Sequence, residues 1–304
     1  MKNKIIKITK IIVILAIFQI QVISAQFIHE FSVDAGLGLS TLSYKLSQGS
    51  RSGSFGGEFG AGYTIFSARE RVTGTEKVFR ELWGIHTGLG ISLYNASANL
   101  DMMETVARGL TDGDPYVSEV YTKFDLRTTL NSYRETQKTI YLNIPVMALF
   151  QIEQIYAMGG FKFGIPVSGK YSSKNATLTN EGYYPELDNS ADDLEFAGYG
   201  TFKGKDFNGS LKPGVAAILA LELGYKWRIV DNISVYTGLF FDYGLNNVIK
   251  SDPKTFVNYT NKHPKDFTTN SVLSSYTDNK KSLTFTDKTK VMAVGVKLRF
   301  ALEK

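Results

Sequence analysis

Nine titratable side chains occupy alternate positions in segments that are otherwise apolar or small. They are four acids, four bases and one histidine: Asp34, Glu58, Glu222, Asp242, Lys162, Lys226, Lys297, Arg299 and His86. A catalytic interpretation makes the histidine a general base that a carboxylate orients. However, no nucleophilic serine can be placed beside it, and a triad-like site needs nucleophile, base and orienting group. We therefore predict a network of structural ion pairs, because a buried charge is tolerated only with a partner.

Other chemistry-bearing residues give weaker patterns. Acidic residues cluster at 112–114 and at 192–195, but neither cluster has the ligand spacing of a calcium-binding loop. His263 is a lone histidine in a polar segment, which is typical of a solvated side chain. The sequence contains no phosphate-binding loop, zinc cluster or dinucleotide fingerprint. We predict no enzymatic activity, no metal site and no cofactor.

The segments that must position these side chains have the two-residue period of half-buried strands. In the last of them, Val294, Val296 and Leu298 share one face, whereas Lys297 and Arg299 lie on the other. Eight segments show this pattern, namely 31–44, 54–66, 82–95, 140–150, 155–171, 214–227, 233–247 and 289–300. Each is long enough to cross a bilayer as a strand, which takes about 9 to 11 residues.

The links between these segments fall into two length classes. Three polar segments near forty residues, 96–139, 172–210 and 250–288, alternate with short or moderate links such as 67–80. Bacterial outer-membrane barrels have an even strand number, short turns on one side and long loops on the other. Such barrels also place aromatic residues at the membrane interface. Six aromatics fall at the short-turn ends: Phe66, Trp83, Phe150, Tyr156, Trp227 and Phe300.

The first 25 residues have the composition of a secretory signal peptide. Four lysines precede an apolar run at 11–18, and Ser24-Ala25 offers a small-residue cleavage site. We expect residues 26–304 to form a single domain.

The chain has 34 basic and 29 acidic residues, and four of the 34 are these lysines, so little excess charge remains for nucleic acid. A mean hydropathy of -0.10, without a later apolar run of 18 residues, excludes a helical membrane protein.

Several short motifs carry a resemblance to a known family. They are the SAQ at 24–26, YLNIPV at 141–146, MGGF at 158–161 and GVKLRF at 295–300. With them the chain resembles the PorT-like outer-membrane β-barrel family of Bacteroidetes, and it is similar to small OmpA-type barrels in architecture. The resemblance implies a place in the outer membrane, and some family members are tied to type IX secretion. One departure is the tail at 301–304, because many outer-membrane proteins end at the aromatic that Phe300 would supply.

These patterns predict an all-β fold, a transmembrane antiparallel up-and-down β-barrel of about eight strands with long extracellular loops. The competing fold is a soluble periplasmic sandwich or a lipocalin-like barrel. Eight strands enclose an interior just wide enough for side chains to fill it. We therefore predict a closed lumen. A wider barrel, in which segments such as 117–126 add membrane strands, is the alternative.

The predicted role is a non-enzymatic binding or assembly scaffold in the Gram-negative outer membrane, including secretion-related assembly as in PorT-like proteins. The alternatives are a transporter or channel for a small or apolar solute, a lipid-modifying enzyme and a soluble periplasmic binding module. Expected partners are outer-membrane lipid, the barrel assembly machinery and a protein or glycan at the outer loops. Nucleic acid is not expected. The candidate contact residues lie in the second long segment and are Tyr183, Tyr184, Phe196, Tyr199, Phe202 and Phe207. The alternative for these aromatics is packing of the segment against itself.

Overall fold

The computed structural model shows an all-β protein. It describes residues 27–73, 77–112, 122–174, 176–192, 194–195, 198–249, 253–259, 267–277 and 283–304. The predicted signal peptide, and with it the cleavage site, lies outside these ranges. Within them a 3-10 turn occurs at Val272–Ser274. Among the described residues, none of the helical structure has the length and hydrophobicity that a membrane-crossing helix requires.

Strands are numbered β1 to β17 in chain order. The long ones are β1 (Phe27–Ser43), β3 (Phe55–Thr73), β4 (Lys77–Asp112), β5 (Thr122–Ile152), β6 (Ile155–Lys174), β11 (Ala216–Val230), β12 (Ile233–Gly244) and β17 (Lys290–Glu303). The short ones are β2 (Ser50–Gly53), β7 (Thr177–Tyr184), β8 (Asn189–Ala191), β9 (Gly200–Lys203), β10 (Phe207–Ser210), β13 (Lys254–Thr255), β14 (Val257–Tyr259), β15 (Phe267–Thr269) and β16 (Ser275–Tyr276).

The eight long strands form a closed antiparallel ring in which each strand pairs with its neighbours in the chain. The last pairing joins β17 to β1, from Glu30 opposite Glu303 to Ser43 opposite Lys290. The predicted strands correspond one to one with these eight. β17 continues through Glu303, so residues 301–303 belong to the ring rather than to a tail. No described segment inserts an additional strand into the ring.

Short turns lie at one end of the ring, for example at residues 153–154 and 231–232, and we call it the turn end. The opposite end, the loop end, carries the three long segments. The predicted link at 67–80 is strand on both sides of its turn, because β3 and β4 stay paired from Ser67 opposite Trp83 to Thr73 opposite Lys77. The described residues of this polar link therefore extend β3 and β4 as a hairpin.

Alternation along the strands places charged and small residues inside the ring and apolar residues outside, as predicted. In β1, Leu37 and Leu39 are exposed on the outside while Gly36 is buried. Interior glycines give space to larger side chains of neighbouring strands. A Cβ atom at Gly62 would lie 2.3 Å from the His86 ring, so an alanine there would displace the imidazole.

Two of the six predicted interface aromatics face the wrong way. Phe66 and Tyr156 are buried inside the ring at the turn end, because both occupy the inward parity of their strands. Trp83, Trp227 and Phe300 are exposed on the outside, as a membrane-facing girdle requires. The sequence pattern therefore predicted the position of these aromatics along their strands, but not whether each side chain points into the ring or away from it.

The first long segment is mostly strand and not loop. β4 and β5 continue beyond the ring as one hairpin, paired from Ala96 opposite Gln137 to Asp112 opposite Thr122. Small and apolar residues such as Ala98 and Leu130 continue the inward row, whereas polar residues on the other face give the stretch its loop-like composition. Of the segment 117–126, residues 122–126 belong to β5 and the others lie outside the described residues.

The second and third long segments pack onto this extension. β7 pairs with β5, β8 and β9 pair with β7, and β10 pairs with β6. In the third segment, β13 to β16 form two small sheets at the loop end. Phe256, Phe267, Leu273 and Phe285 of this third segment join an apolar cluster that closes the interior there.

Candidate functional site

Charged side chains from six strands meet in the middle of the ring. The Nζ atom of Lys162 on β6 lies 2.9 Å from Glu58 on β3 and 2.7 Å from Asp242 on β12. All three side chains are almost fully buried. They face each other because each occupies an alternate position of its strand whose side chain points into the ring. This group cross-links strands that are not neighbours in the ring.

The same cluster continues through β17 and β11. Lys297 contacts Glu58 closely, Glu222 at 3.3 Å and Asp34 at 3.7 Å. Arg299 donates to Glu222 over 2.7 Å. We call the seven residues Asp34, Glu58, Glu222, Asp242, Lys162, Lys297 and Arg299 the central charge cluster. The predicted ion-pair arrangement is therefore present for these seven.

Lys226 belongs to a second cluster nearer the turn end. Its Nζ lies 3.1 Å from Glu30 and 2.5 Å from Glu303, and the Tyr236 hydroxyl donates to Glu30 over 2.7 Å. Neither glutamate was predicted as a site residue. Glu30 shares the inward parity of Asp34, so the strand period could have identified it. Glu303 was missed because the last strand was predicted to end three residues earlier.

His86 lies beside the central charge cluster. Its Nδ1 atom lies 2.9 Å from the Thr64 hydroxyl, so the ring nitrogen has a hydroxyl partner where a general base would be oriented by a carboxylate. A cavity of about 30 Å³ adjoins it, lined also by Ser92, Asn143 and Met147. This volume has space for one or two water molecules. The arrangement resembles a solvated polar core more closely than a substrate pocket, which typically has about 300 to 1,000 Å³.

Apolar layers lie above and below the charges. Along β17 the inward row begins with Val291 and Ala293, passes through Lys297 and Arg299, and returns to apolar at Ala301. The first two belong to the loop-end cluster and Ala301 belongs to the turn-end cluster. Side chains thus occupy the described interior from end to end, apart from the cavity of about 30 Å³ beside His86.

The predicted loop contact residues divide by exposure. Tyr199 and Phe202 are buried, and Phe202 packs in the loop-end cluster, so neither forms an exposed contact surface. Burial of large aromatic side chains offsets the conformational entropy that a long segment loses when it becomes ordered, which explains why aromatics are frequent there. Phe207 is half-buried against Tyr171.

Tyr183 and Tyr184 remain half-exposed. The Tyr183 hydroxyl donates to Asp188 over 2.8 Å, and the guanidinium of Arg127 lies 4.1 Å above its ring. Phe196 lies outside the described residues, as do His263 and parts of both acidic clusters. Among the described residues, no group of three histidine, cysteine or acidic side chains could hold a metal ion.

A buried carboxylate at the loop end was not predicted. Glu135 on β5 accepts hydrogen bonds from the Tyr133 hydroxyl (2.5 Å), the Gln137 amide (2.7 Å), the Ser271 hydroxyl (2.5 Å) and the Val272 backbone N–H (2.9 Å). Ser271 also accepts from the Leu273 N–H at the start of the 3-10 turn. This Glu135 anchor ties the third long segment over the open end of the ring. No sequence signal identifies it, because only Tyr133 and Gln137 are close in sequence, whereas Ser271 and Val272 are more than 130 residues away.

Replacing Glu135 with glutamine should loosen the third segment. Each carboxylate oxygen accepts from two donors, so the amide NH2 of glutamine meets two donors in either orientation. We expect a loss of about 2 kcal/mol in local stability. Hydrogen exchange at the Val272 amide measures it. Glu104→Gln, on an exposed site of β4, is the matched control, and equal protection in the two variants would contradict the anchor.

Burial raises the pKa of Glu135, although hydrogen bonds from Ser271, Tyr133 and Gln137 act in the opposite direction. An acid with a raised pKa in the folded state stabilises that state most below its unfolded pKa. This stabilisation is lost as pH rises through the folded pKa. Protection at Val272, corrected for intrinsic exchange, should therefore fall with rising pH in the wild type. The same pH-dependent component should be missing in Glu135→Gln.

A comparison of the chain with protein-family models and with curated proteins finds no match. The function must therefore be argued from the geometry of the ring, its outer surface and its loop end.

Proposed function

We propose that this chain is an integral outer-membrane β-barrel protein whose eight-stranded ring crosses the bilayer. One observation carries the proposal: a continuous apolar belt on the outside of the ring. The outward positions in 31–39, 55–65, 83–93, 142–150, 155–167, 215–227, 233–245 and 292–302 include no Asp, Glu, Lys or Arg. The belt includes all eight strands of the ring. Along each strand its length is close to that of a membrane-spanning strand, which is about 9 to 11 residues.

The distribution of charge supports the same proposal. Buried ions occupy the interior while Leu37, Leu239 and Val296 are each at least 60 % exposed on the outside. A protein in water exposes no apolar surface of this extent, since patches larger than a few hundred Å² mark a contact with another phase or partner. A closed ring in lipid leaves no backbone edge unpaired. The soluble periplasmic alternative lacks an explanation for the belt.

Fractionation and gel mobility test the membrane assignment. We expect the protein in the outer-membrane fraction, with faster migration when unheated than when boiled, because folded barrels resist detergent. Recovery from the soluble periplasm, without a heat-dependent mobility change, would overturn the assignment.

Within the membrane we propose a non-enzymatic scaffold role, in which the folded loop end binds a protein or glycan partner. The support is that the loop end carries a large ordered surface built from β2, β7 to β10 and β13 to β16, while the interior holds little free space. Loops on a rigid scaffold carry recognition in many folds. The resemblance to PorT-like proteins makes secretion-related assembly one form of this role.

A pull-down from native membranes tests the scaffold role. Leu187 is 68 % exposed in the turn after β7, close to Tyr183, and their joint replacement by aspartate should abolish capture of the partner while assembly continues. Met102→Asp, on an exposed site of β4, serves as the control. Unchanged capture by the double variant would contradict a contact surface at this turn.

The purified protein should be electrically silent in a planar bilayer. In the described part of the chain, charged side chains fill the middle of the ring and apolar layers lie at both ends, and the cavity beside His86 has a volume of only about 30 Å³. This expectation separates the scaffold from the transporter and channel alternative. Stable single-channel steps of porin size would contradict it and would favour a conducting barrel.

A further inference from the structure

Four cations lie together on the outer surface of β5 and β6, just beyond the apolar belt. They are Arg134 and Lys138 on β5 and Lys170 and Lys174 on β6, and all four side chains are exposed. Their neighbours Tyr133 and Glu135 on β5 point inward. The four cations therefore share one face, which we call the basic patch.

The register places these cations directly opposite one another. Lys138 pairs with Lys170, and Arg134 pairs with Lys174. Residues opposed in an antiparallel pair have Cβ atoms about 5 Å apart, and like charges in this arrangement destabilise the strands. In the described part of the chain, none of the four side chains makes an ion pair or a hydrogen bond. These cations thus keep an unfavourable charge arrangement without a counter-ion among the described residues.

The residues that lie directly opposite the cations on the neighbouring strands are neutral and polar. Asn95 and Asn99 of β4 lie opposite the two β5 cations, and Ser210 of β10 lies opposite Lys170. Thr136 and Ser172 oppose each other between the two cation pairs. None of these partners is a carboxylate. The face offers amide and hydroxyl groups around positive charge, which suits a ligand that is anionic and rich in hydroxyls.

The belt begins immediately below the patch. Ile140, two residues after Lys138, and Val167, three residues before Lys170, are the first apolar side chains on the outside of these strands. If the ring crosses the bilayer, the patch lies at the depth of the lipid headgroups. A ligand that reaches it from the membrane has apolar chains against the belt and an anionic headgroup beside the cations.

We propose that the basic patch binds the headgroup of a phosphorylated glycolipid in the adjacent leaflet. The two cation pairs are four residues apart, which is about 13 Å along a strand. This spacing suits a headgroup with two separate phosphate groups, one for each pair. Lysine meets phosphate as a point charge, and arginine meets it with two parallel N–H donors. The inference rests on the proposed membrane location and adds a ligand class to it.

Binding of a diphosphorylated glycolipid tests the proposal directly. The probe is fluorescently labelled lipid A carrying both phosphates, titrated into the full mature protein in micelles of a neutral detergent. The variant replaces all four cations with glutamine (Arg134→Gln, Lys138→Gln, Lys170→Gln, Lys174→Gln). We expect affinity to fall about 10- to 100-fold, since each Lys or Arg near an anionic surface contributes to binding. Added salt should weaken wild-type binding in the same direction.

A charge-matched control replaces four exposed lysines elsewhere: Lys123, Lys203, Lys254 and Lys304. It should bind lipid A as the wild type does. Equal loss in both quadruple variants would show a nonspecific charge effect and overturn the site. Phosphatidylglycerol bound as tightly as lipid A would overturn the two-phosphate glycolipid, and displacement by inorganic phosphate at low concentration would assign the patch to a soluble anion.

Insertion is measured on the same samples, from the heat-dependent gel mobility in phosphatidylcholine vesicles. Wild-type protein that does not insert overturns the membrane location and the lipid site together. Protein that inserts but binds lipid A no better than the quadruple glutamine variant overturns the lipid site alone.

Discussion

Replacing Glu222 with glutamine should lower the free energy of unfolding by about 3 to 5 kcal/mol. The reason is the burial of Arg299, which is 2 % exposed and has Glu222 as its ion-pair partner at 2.7 Å. Glutamine keeps the shape of the side chain but leaves the guanidinium charge uncompensated. Urea titration of the protein folded in detergent micelles, followed by gel mobility and far-UV circular dichroism, measures the loss.

Two further variants separate charge from shape. Glu186→Gln, in the exposed turn after β7, should change stability by less than about 0.5 kcal/mol. The double variant Glu222→Leu with Arg299→Met removes both charges and should recover most of the loss, because apolar residues can replace a buried ion pair at little cost. A single variant as stable as the wild type would show that the central charge cluster does not hold the strands together.

Replacing Leu239 with arginine should destabilise the protein by about 2 to 4 kcal/mol in a bilayer. Leu239 is 64 % exposed in the middle of the belt and lies opposite Val296 on β17. A charged side chain there would have to leave the hydrocarbon or thin the membrane. In water the same substitution would remove exposed apolar surface and cost almost nothing. The size of the stability loss therefore distinguishes lipid from water around the ring.

Leu187→Arg is the matched control, because Leu187 is 68 % exposed but lies outside the belt. It should leave stability nearly unchanged. Folding into phosphatidylcholine vesicles under a urea gradient compares the two variants under identical conditions. Equal stabilities for Leu239→Arg and Leu187→Arg would contradict the transmembrane assignment, whatever the fractionation result.

The loop end shows where reasoning from sequence was incomplete. The stretch 96–139 has the polarity of a loop, yet its described residues, 96–112 and 122–139, form the extended part of β4 and β5. Its inward row carries small residues such as Ala96 and Ala98, which give little hydrophobic signal. For Tyr199 and Phe202 the sequence left open an exposed contact role or packing of the segment against itself, and the structure shows both side chains buried. Aromatics in a polar segment do not reveal whether they pack against one another or face solvent.

The face of each ring residue was determined by the sequence itself, since side chains in a strand alternate with a period of two and a shift of one residue would expose Lys162, Lys297 and Arg299. The partner of each charge was decided only by the tertiary structure. The two-residue period assigns a side chain to the interior but does not give its position along the ring axis. The stagger of neighbouring strands in the closed ring decides which inward side chains lie at the same level along that axis. That is why Lys226 meets Glu303 instead of the central charge cluster, and why Glu135 meets Ser271.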